Sequence, residues 1–323
     1  MCTAITFQTN HHYFGRNLDL EYHYQEAVTI MPRNCPISMR IESKLDKHYA
    51  IIGMATIDGQ YPLYYDATNE YGLSIAALNF PGNAVYNSPQ KEKLNIAVFE
   101  FIPWLLGQCR NINDVREALK NTNIVNIPYS NAFPLTPLHW LIADQESSIT
   151  VEPMDNGLSI IDNPVGVLTN NPPFPYHMIN LCNYMSISNQ PATNKICKQL
   201  KLHPYSNGMG GLGLPGDLSS ASRFIRAVFT KHNSVCPPDE ESSIGQFFHI
   251  LDSVYQQSGC VQIENEYEKT IYTSCCNTNT GVYYYTTYEN RQISAVSMHN
   301  TDLNGKTLTS YALQVEQKIQ YVN

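Results

Sequence analysis

The chain opens Met1-Cys2-Thr3-Ala4-Ile5-Thr6-Phe7-Gln8, and Cys2 is where its chemistry gathers. With Met1 removed, one residue carries both a thiol and a free α-amine. An α-amine ordinarily titrates at about 7.7–8.0 and a thiol at about 8.5, so near neutrality the amine can take the thiol proton, directly or through a water. A nucleophile and its base on one residue is a recognised mode of activation. Arg16-Asn17-Leu18-Asp19 places a cation and a carboxylate one hairpin away. Asn79 ends the apolar run 72–78 before Phe80-Pro81-Gly82, and Asn170 ends Val167-Leu168-Thr169 before Asn171-Pro172-Pro173. Each asparagine alone could simply start a turn. Beside a nucleophile, two amide donors at strand ends are what a developing oxyanion requires.

Other chemistries fit less well. The ten histidines form no HExxH and no spaced cluster, and His139, within Leu138-His139-Trp140-Leu141, reads as a satisfied core histidine. No two of the nine cysteines have the CxxC spacing of a zinc or redox site, and no local signature supports a papain-like Cys–His pair. Gly208-Met209-Gly210-Gly211-Leu212-Gly213 satisfies GxGxxG, but Leu214-Pro215-Gly216-Asp217 follows it where a helix should open. A packing loop is the better reading.

The elements that must position these residues show as short periodic runs. Strands are expected at residues 3–8 and 12–18, joined by a turn at Asn10-His11, then at 27–31, 49–54 and 72–78. Helical periodicity follows at 96–106 and at 115–119, capped near Asn113. Strands return at 138–143, 148–152, 158–161 and 165–168, helices at 221–231 and 244–254, and strands at 270–274, 282–288 and 293–298. Strands, helices and strands again predict α+β layers with antiparallel sheets, and no linker divides residues 2–323, so one domain is expected. Hydrophobic residues make up 43% and charged residues 15%, a globular balance. The net charge of −8 argues against nucleic acid as a partner. The chain opens without a signal pattern and has no apolar run long enough to cross a bilayer, so a soluble cytoplasmic protein with reduced thiols is expected.

Cys2, Arg16-Asn17-Leu18-Asp19, Leu78-Asn79-Phe80, Val167-Leu168-Thr169-Asn170-Asn171-Pro172, and Gly211-Leu212-Gly213-Leu214-Pro215-Gly216-Asp217 followed by Ser222-Arg223-Phe224 agree in order and spacing with one family. Together they resemble the choloylglycine hydrolases, N-terminal-nucleophile (Ntn) amidases that include bile salt hydrolases and penicillin V acylases. The resemblance implies a four-layer αββα sandwich with two antiparallel sheets. It implies Cys2 as nucleophile and, through its α-amine, as base; Arg16 beside the thiol; Asp19 holding the amine; Asn79 and Asn170 at the oxyanion; and Arg223 as distal support. It implies no metal or organic cofactor, and assembly as a homotetramer.

Asn79 points to the bile salt branch, whose substrates are glycine- or taurine-conjugated bile salts; penicillin V acylases often carry Tyr there. A steroid body needs a broad apolar cleft, for which Leu20, Tyr22, Tyr24 and Phe133 are candidates. Pro175 and Asn207 depart from the family pattern, the first just after Asn170 and the second before the Gly-rich loop. The alternatives are a penicillin V acylase or related N-acyl amidase, and a non-catalytic bile-acid binding protein.

Overall fold

The computed structural model describes residues 1–323. The strands Cys2–Gln8 and His12–Leu20 form an antiparallel hairpin with Cys2 opposite Leu18 and Ala4 opposite Arg16. Glu266–Asn277 pairs with the far side of His12–Leu20, and Val282–Thr287 and Ser294–Ser297 follow. The short strand Val167–Leu168 closes the other side against Cys2–Gln8, and Val261–Ile263 hairpins onto Glu266–Asn277. Gly15 is required here: a Cβ on it would lie 2.0 Å from the Ser274 carbonyl oxygen of the neighbouring strand.

A second antiparallel sheet of eight strands lies against the first. Its order is Gly157–Asp162, Ser148–Met154, Leu138–Ala143, Ser74–Asn79, Tyr61–Asn69, Ile51–Asp58, Ala27–Met31 and Thr309–Ala312. Ala4, Phe14 and Leu18 from the first sheet share one buried cluster with Ile52, Ala76 and Leu141 from the second. The helices Ser220–Asn233 and Glu240–Asp252 cover the outer face of the first sheet, contributing Phe224, Ile225, Phe247 and Leu251 to that cluster. On the outer face of the second sheet, helices Phe101–Gln108 and Ile112–Leu119 close a separate core in which Phe101 stacks on Trp140 at 4.1 Å. The order of layers is helix, sheet, sheet, helix, the αββα sandwich that the resemblance implied.

Successive residues of a strand point to opposite faces. In His12–Leu20 the even residues Phe14, Arg16, Leu18 and Leu20 therefore face the second sheet, and the odd residues Tyr13, Asn17 and Asp19 face the helices. Asn17 accordingly donates to the Leu251 carbonyl of helix Glu240–Asp252 at 3.0 Å.

Several elements depart from the sequence expectation. Residues 96–106 are not one helix. Leu94–Ala97 is a strand paired in parallel with Thr122–Val125, a 3-10 turn follows at Val98–Glu100, and the helix begins at Phe101. Pro103 then falls in the first turn, where its missing N–H costs no intrahelical bond. The second helix starts earlier, capped by Asn111, whose side chain accepts from the Asp114 N–H at 3.0 Å; Asn113 lies inside the helix. The strand Tyr61–Asn69 and the helix Phe174–Leu181 had no expectation at all. The Gly-rich segment holds a 3-10 turn at Met209–Gly211, with a Cβ on Gly210 meeting the Gln190 carbonyl oxygen at 2.0 Å. Neither a strand before it nor a helix opening within it frames a dinucleotide.

His12, at the start of its strand, gives the fold a predictable pH response. Its Nδ1 sits 3.1 Å from Thr278 Oγ1, and burial pulls its pKa from 6.5 to about 4, with Asp144 opposing and Lys231 reinforcing. The unfolded chain binds a proton below about pH 6.5 that the folded chain refuses, so stability falls as pH drops from there to about 4. At 1.36 kcal/mol per pKa unit the loss is about 3 kcal/mol. Urea unfolding of a His12→Gln variant should lose about that much less than wild type across the interval. Parallel curves would refute the assignment.

Candidate active site

Register alone brings the first two site residues together. Ala4 pairs with Leu168, so continuing the antiparallel ladder places Asn170 beside Cys2. The Cys2 backbone N–H donates to Asn170 Oδ1 at 2.8 Å. Asn170 Nδ2 donates to the backbone carbonyl of Asn79 at 2.8 Å, at the end of strand Ser74–Asn79 in the other sheet. Asn170 is itself clamped from two sides. Its N–H donates to Ser220 Oγ at 2.8 Å, and its carbonyl accepts from His177 Nε2 at 2.9 Å. His177 comes from helix Phe174–Leu181, in whose first turn Pro175 stands.

Arg223 completes this side. Ser219 caps helix Ser220–Asn233 and so directs its first turn at the site. Arg223 Nη2 donates to Asn170 Oδ1 at 2.7 Å, and Nη1 donates to Thr3 Oγ1 at 2.6 Å and to the Cys2 carbonyl. Burial pulls this guanidinium below its ordinary pKa, while Asp19, Cys2 and Glu268 oppose the shift.

Arg16 and Asp19 lie on opposite faces of their strand, as odd spacing demands. Arg16 is fully buried between the sheets. Its Nη1 donates to the Tyr65 carbonyl at 3.1 Å and to that of Ala77, both in the second sheet, and Nη2 has no protein partner. Burial works against the charge on Arg16, but Cys2, Tyr272, Asp66 and Asp19 outweigh it and hold the pKa above its ordinary value. On the helix side, the Asp19 carboxylate accepts from Thr270 Oγ1 at 2.7 Å and Gln256 Nε2 at 3.3 Å. Burial raises its pKa, against the chain-terminal ammonium, Arg223, Thr270 and Arg16.

With Met1 in place, the terminal ammonium belongs to Met1. It donates to the Asp19 backbone carbonyl at 2.8 Å and pairs with the buried carboxylate of Glu268. The Cys2 nitrogen is a peptide amide in this form and has no lone pair to offer as a base. Glu268 escaped the sequence reading. It lies in strand Glu266–Asn277, two residues before the strand expected from residue 270, where an acidic side chain reads as solvent-facing.

Cys2 and Arg16 form one end of a cavity of about 290 Å³, near the lower end for small-molecule sites. Eighteen of its 23 lining residues are hydrophobic. Leu20, Tyr24 and Phe133 line it, as does Asn79. Tyr22 does not: the chain leaves the strand after Leu20, and Tyr22 stands 55% exposed with its ring 5.4 Å from that of Tyr24. The sequence reading missed Phe99 and Tyr129, which close the far wall edge to face at 5.1 Å. His139 is a core residue, buried with Nδ1 at 3.2 Å from Glu152 Oε1 and Nε2 donating to the Thr169 carbonyl at 2.9 Å.

Known proteins share this sequence and fold. The bile salt hydrolase/transferase of Lactiplantibacillus plantarum is 53% identical, and that of Clostridium perfringens 39% identical, each alignment covering all of both chains. The crystal structure of a mutant conjugated bile acid hydrolase from Clostridium perfringens superposes with a TM-score of 0.92 at 38% identity, covering 100% of both chains. Penicillin V acylase from Agrobacterium tumefaciens, at 18% identity, shares the fold with a TM-score of 0.76 over 96% of this chain and 90% of its own. Residues 2–311 match the profile described as linear amide C–N hydrolases, choloylglycine hydrolase family. With that match over nearly the whole chain and full-length relatives at such identity, this protein is a C–N hydrolase of the choloylglycine hydrolase family.

Proposed function

We propose that the enzyme hydrolyses the amide bond of glycine- or taurine-conjugated bile salts, using Cys2 as nucleophile once Met1 has been removed. The observation that carries this reading is the asymmetry of the cavity: Cys2, Arg16 and Asn79 gather at one end of an otherwise apolar chamber. An amphiphile with a large apolar body and one polar amide suits that distribution. The names of the full-length relatives point to the same substrates.

In the proposed mechanism the Cys2 α-amine, held by Asn170 Oδ1, takes the thiol proton. The thiolate attacks the amide carbonyl beside the fixed Arg16 cation, which stabilises negative charge on sulfur. The Asn79 side chain and the second N–H of Asn170 Nδ2 donate to the oxyanion. The C–N bond breaks as the Cys2 ammonium returns its proton to the leaving nitrogen, leaving an acyl-thioester. Water, deprotonated by the same amine, attacks the thioester, and the C–S bond breaks to release the bile acid. Asp19 and Arg223 fix the amine and Asn170 from behind. The relatives' names also include transferase; an amine replacing water at the thioester would form a new amide by the same route.

We further propose a cytoplasmic homotetramer. All nine cysteines are free, which suits a reducing compartment. No helix is long and apolar enough to cross a membrane. Met185, Ile196, Tyr205 and Leu212 expose apolar surface around the Gly-rich segment, as an assembly surface requires.

The decisive assay offers glycocholate, taurocholate and penicillin V in parallel to protein whose loss of Met1 is checked by intact mass. Release of glycine or taurine, abolished by Cys2→Ser, is expected. Preferential cleavage of penicillin V would move the protein to an acylase, and bile salt binding without turnover would make it a carrier. Asn170→Ala should lower kcat by about 10²–10³. Phe133→Ala should raise KM for conjugated bile salts by roughly tenfold with kcat little changed, the loss of about 1.4 kcal/mol of apolar contact. In sedimentation, wild type should run as a tetramer and an Ile196→Ser, Tyr205→Ser double variant as smaller species. A monomeric wild type refutes the assembly.

A further inference from the structure

Asp66 has no part in the scheme above, yet it is a buried carboxylate tied to Arg16 through Ser274, whose Oγ accepts from the Arg16 backbone N–H at 3.1 Å and donates to Asp66. It lies on strand Tyr61–Asn69, 2% exposed. Its oxygens reach into the opposite sheet and accept three hydroxyl hydrogen bonds. Tyr272 Oη donates to Oδ1 at 2.6 Å, and Tyr283 Oη and Ser274 Oγ donate to Oδ2 at 2.6 and 3.2 Å. Arg16 makes the reverse crossing, and one of the carbonyls it reaches belongs to Tyr65, the residue before Asp66.

The surroundings of Asp66 suit a carboxylate. A carboxylate only accepts, and all three partners are hydroxyls able to donate. Two contacts at 2.6 Å have the length of hydrogen bonds to an ionised oxygen. Burial raises the Asp66 pKa, while Arg16 and the three hydroxyls oppose it. The groups around Asp66 are Arg16, Tyr272, Ser274, Tyr283 and Cys276; those acting on the charge of Arg16 are Cys2, Tyr272, Asp66 and, from the opposite face of its own strand, Asp19. Asp66 and Cys2 therefore act on the same cation.

We propose that Asp66 is a positioning residue of the active site, a buried anion that orients and partly neutralises Arg16 and so sets how strongly that cation acts on the Cys2 sulfur. The inference rests on Cys2 being the nucleophile. The balance matters because a thiolate stabilised too far loses nucleophilicity as its proton affinity falls. Asp66 never touches substrate; its effect passes through Arg16.

The test follows iodoacetamide alkylation of Cys2 against pH, read by peptide mass spectrometry on Met1-free protein, together with the pH profile of kcat. Asp66→Asn removes the anion, and the acid limb of Cys2 alkylation should move to lower pH by roughly one unit, a tenfold change in rate on that limb. At neutral pH kcat should fall several-fold, with KM unchanged. A second variant, Tyr272→Phe with Tyr283→Phe, keeps the carboxylate but strips two donors that favour its ionisation. Its limb should move the same way, by less. A purely structural role would lower kcat or stability in both variants and leave the limb where wild type has it. An unmoved limb in either folded variant overturns the proposal and leaves Cys2 standing as nucleophile. Failure of wild-type Cys2 to alkylate overturns both.

Discussion

The structure depends on a reciprocal exchange of polar groups between its two sheets. Arg16 leaves the first sheet to donate to carbonyls of the second, and Asp66 leaves the second to accept from hydroxyls of the first. Neither charge reaches solvent. Isolated buried charges are expensive, and removing one partner from such an arrangement costs several kcal/mol. The exchange therefore fixes how the sheets sit on one another around Arg16. Cys2, opposite Leu18 in the neighbouring strand, inherits that precision.

Strand parity divides the site into two sides. Even residues of His12–Leu20 face the second sheet and the apolar cavity, and odd residues face the helices. Arg16 consequently lines the cavity, while Asp19 lies on the other side of the strand, beside Thr270 and Gln256. Asn170 links the two sides: its side chain binds Cys2, Arg223 and the Asn79 carbonyl at once. Its oxygen is fully committed, so the amide cannot rotate without breaking contacts to both sheets and to helix Ser220–Asn233.

The cavity's far wall is built differently. Phe99 precedes a helix and Tyr129 and Phe133 lie in the irregular segment after strand Thr122–Val125, their rings meeting edge to face. Arg40 stacks over Phe99 and Tyr129 and donates to the Tyr129 carbonyl at 2.6 Å. The Cys2 end thus rests on paired strands and the apolar end on aromatic contacts between less regular segments. Variation in the second can change what is bound without disturbing the first.

By itself the sequence determined the local terms: alternation that marked most strands, the periodicity of the two later helices, and residue types at Cys2, Arg16, Asp19, Asn79, Asn170 and Arg223 whose order carried the family resemblance. These were legible because side-chain alternation and turn chemistry act over a few residues. Strand Tyr61–Asn69 was missed because both its faces are packed, so tyrosine, proline and a buried aspartate blur the alternation. Asp66 and Glu268 went unnoticed for a related reason. An acidic residue in a strand reads as solvent-facing until a partner from a distant strand, or the chain's own terminus, is brought against it. Tyr22 illustrates the reverse: its type suited the cavity, but the chain's exit from the strand turned it outward. Only the tertiary structure decided which charges face one another, because the pairing of two sheets joins residues hundreds of positions apart, and no local pattern encodes that distance.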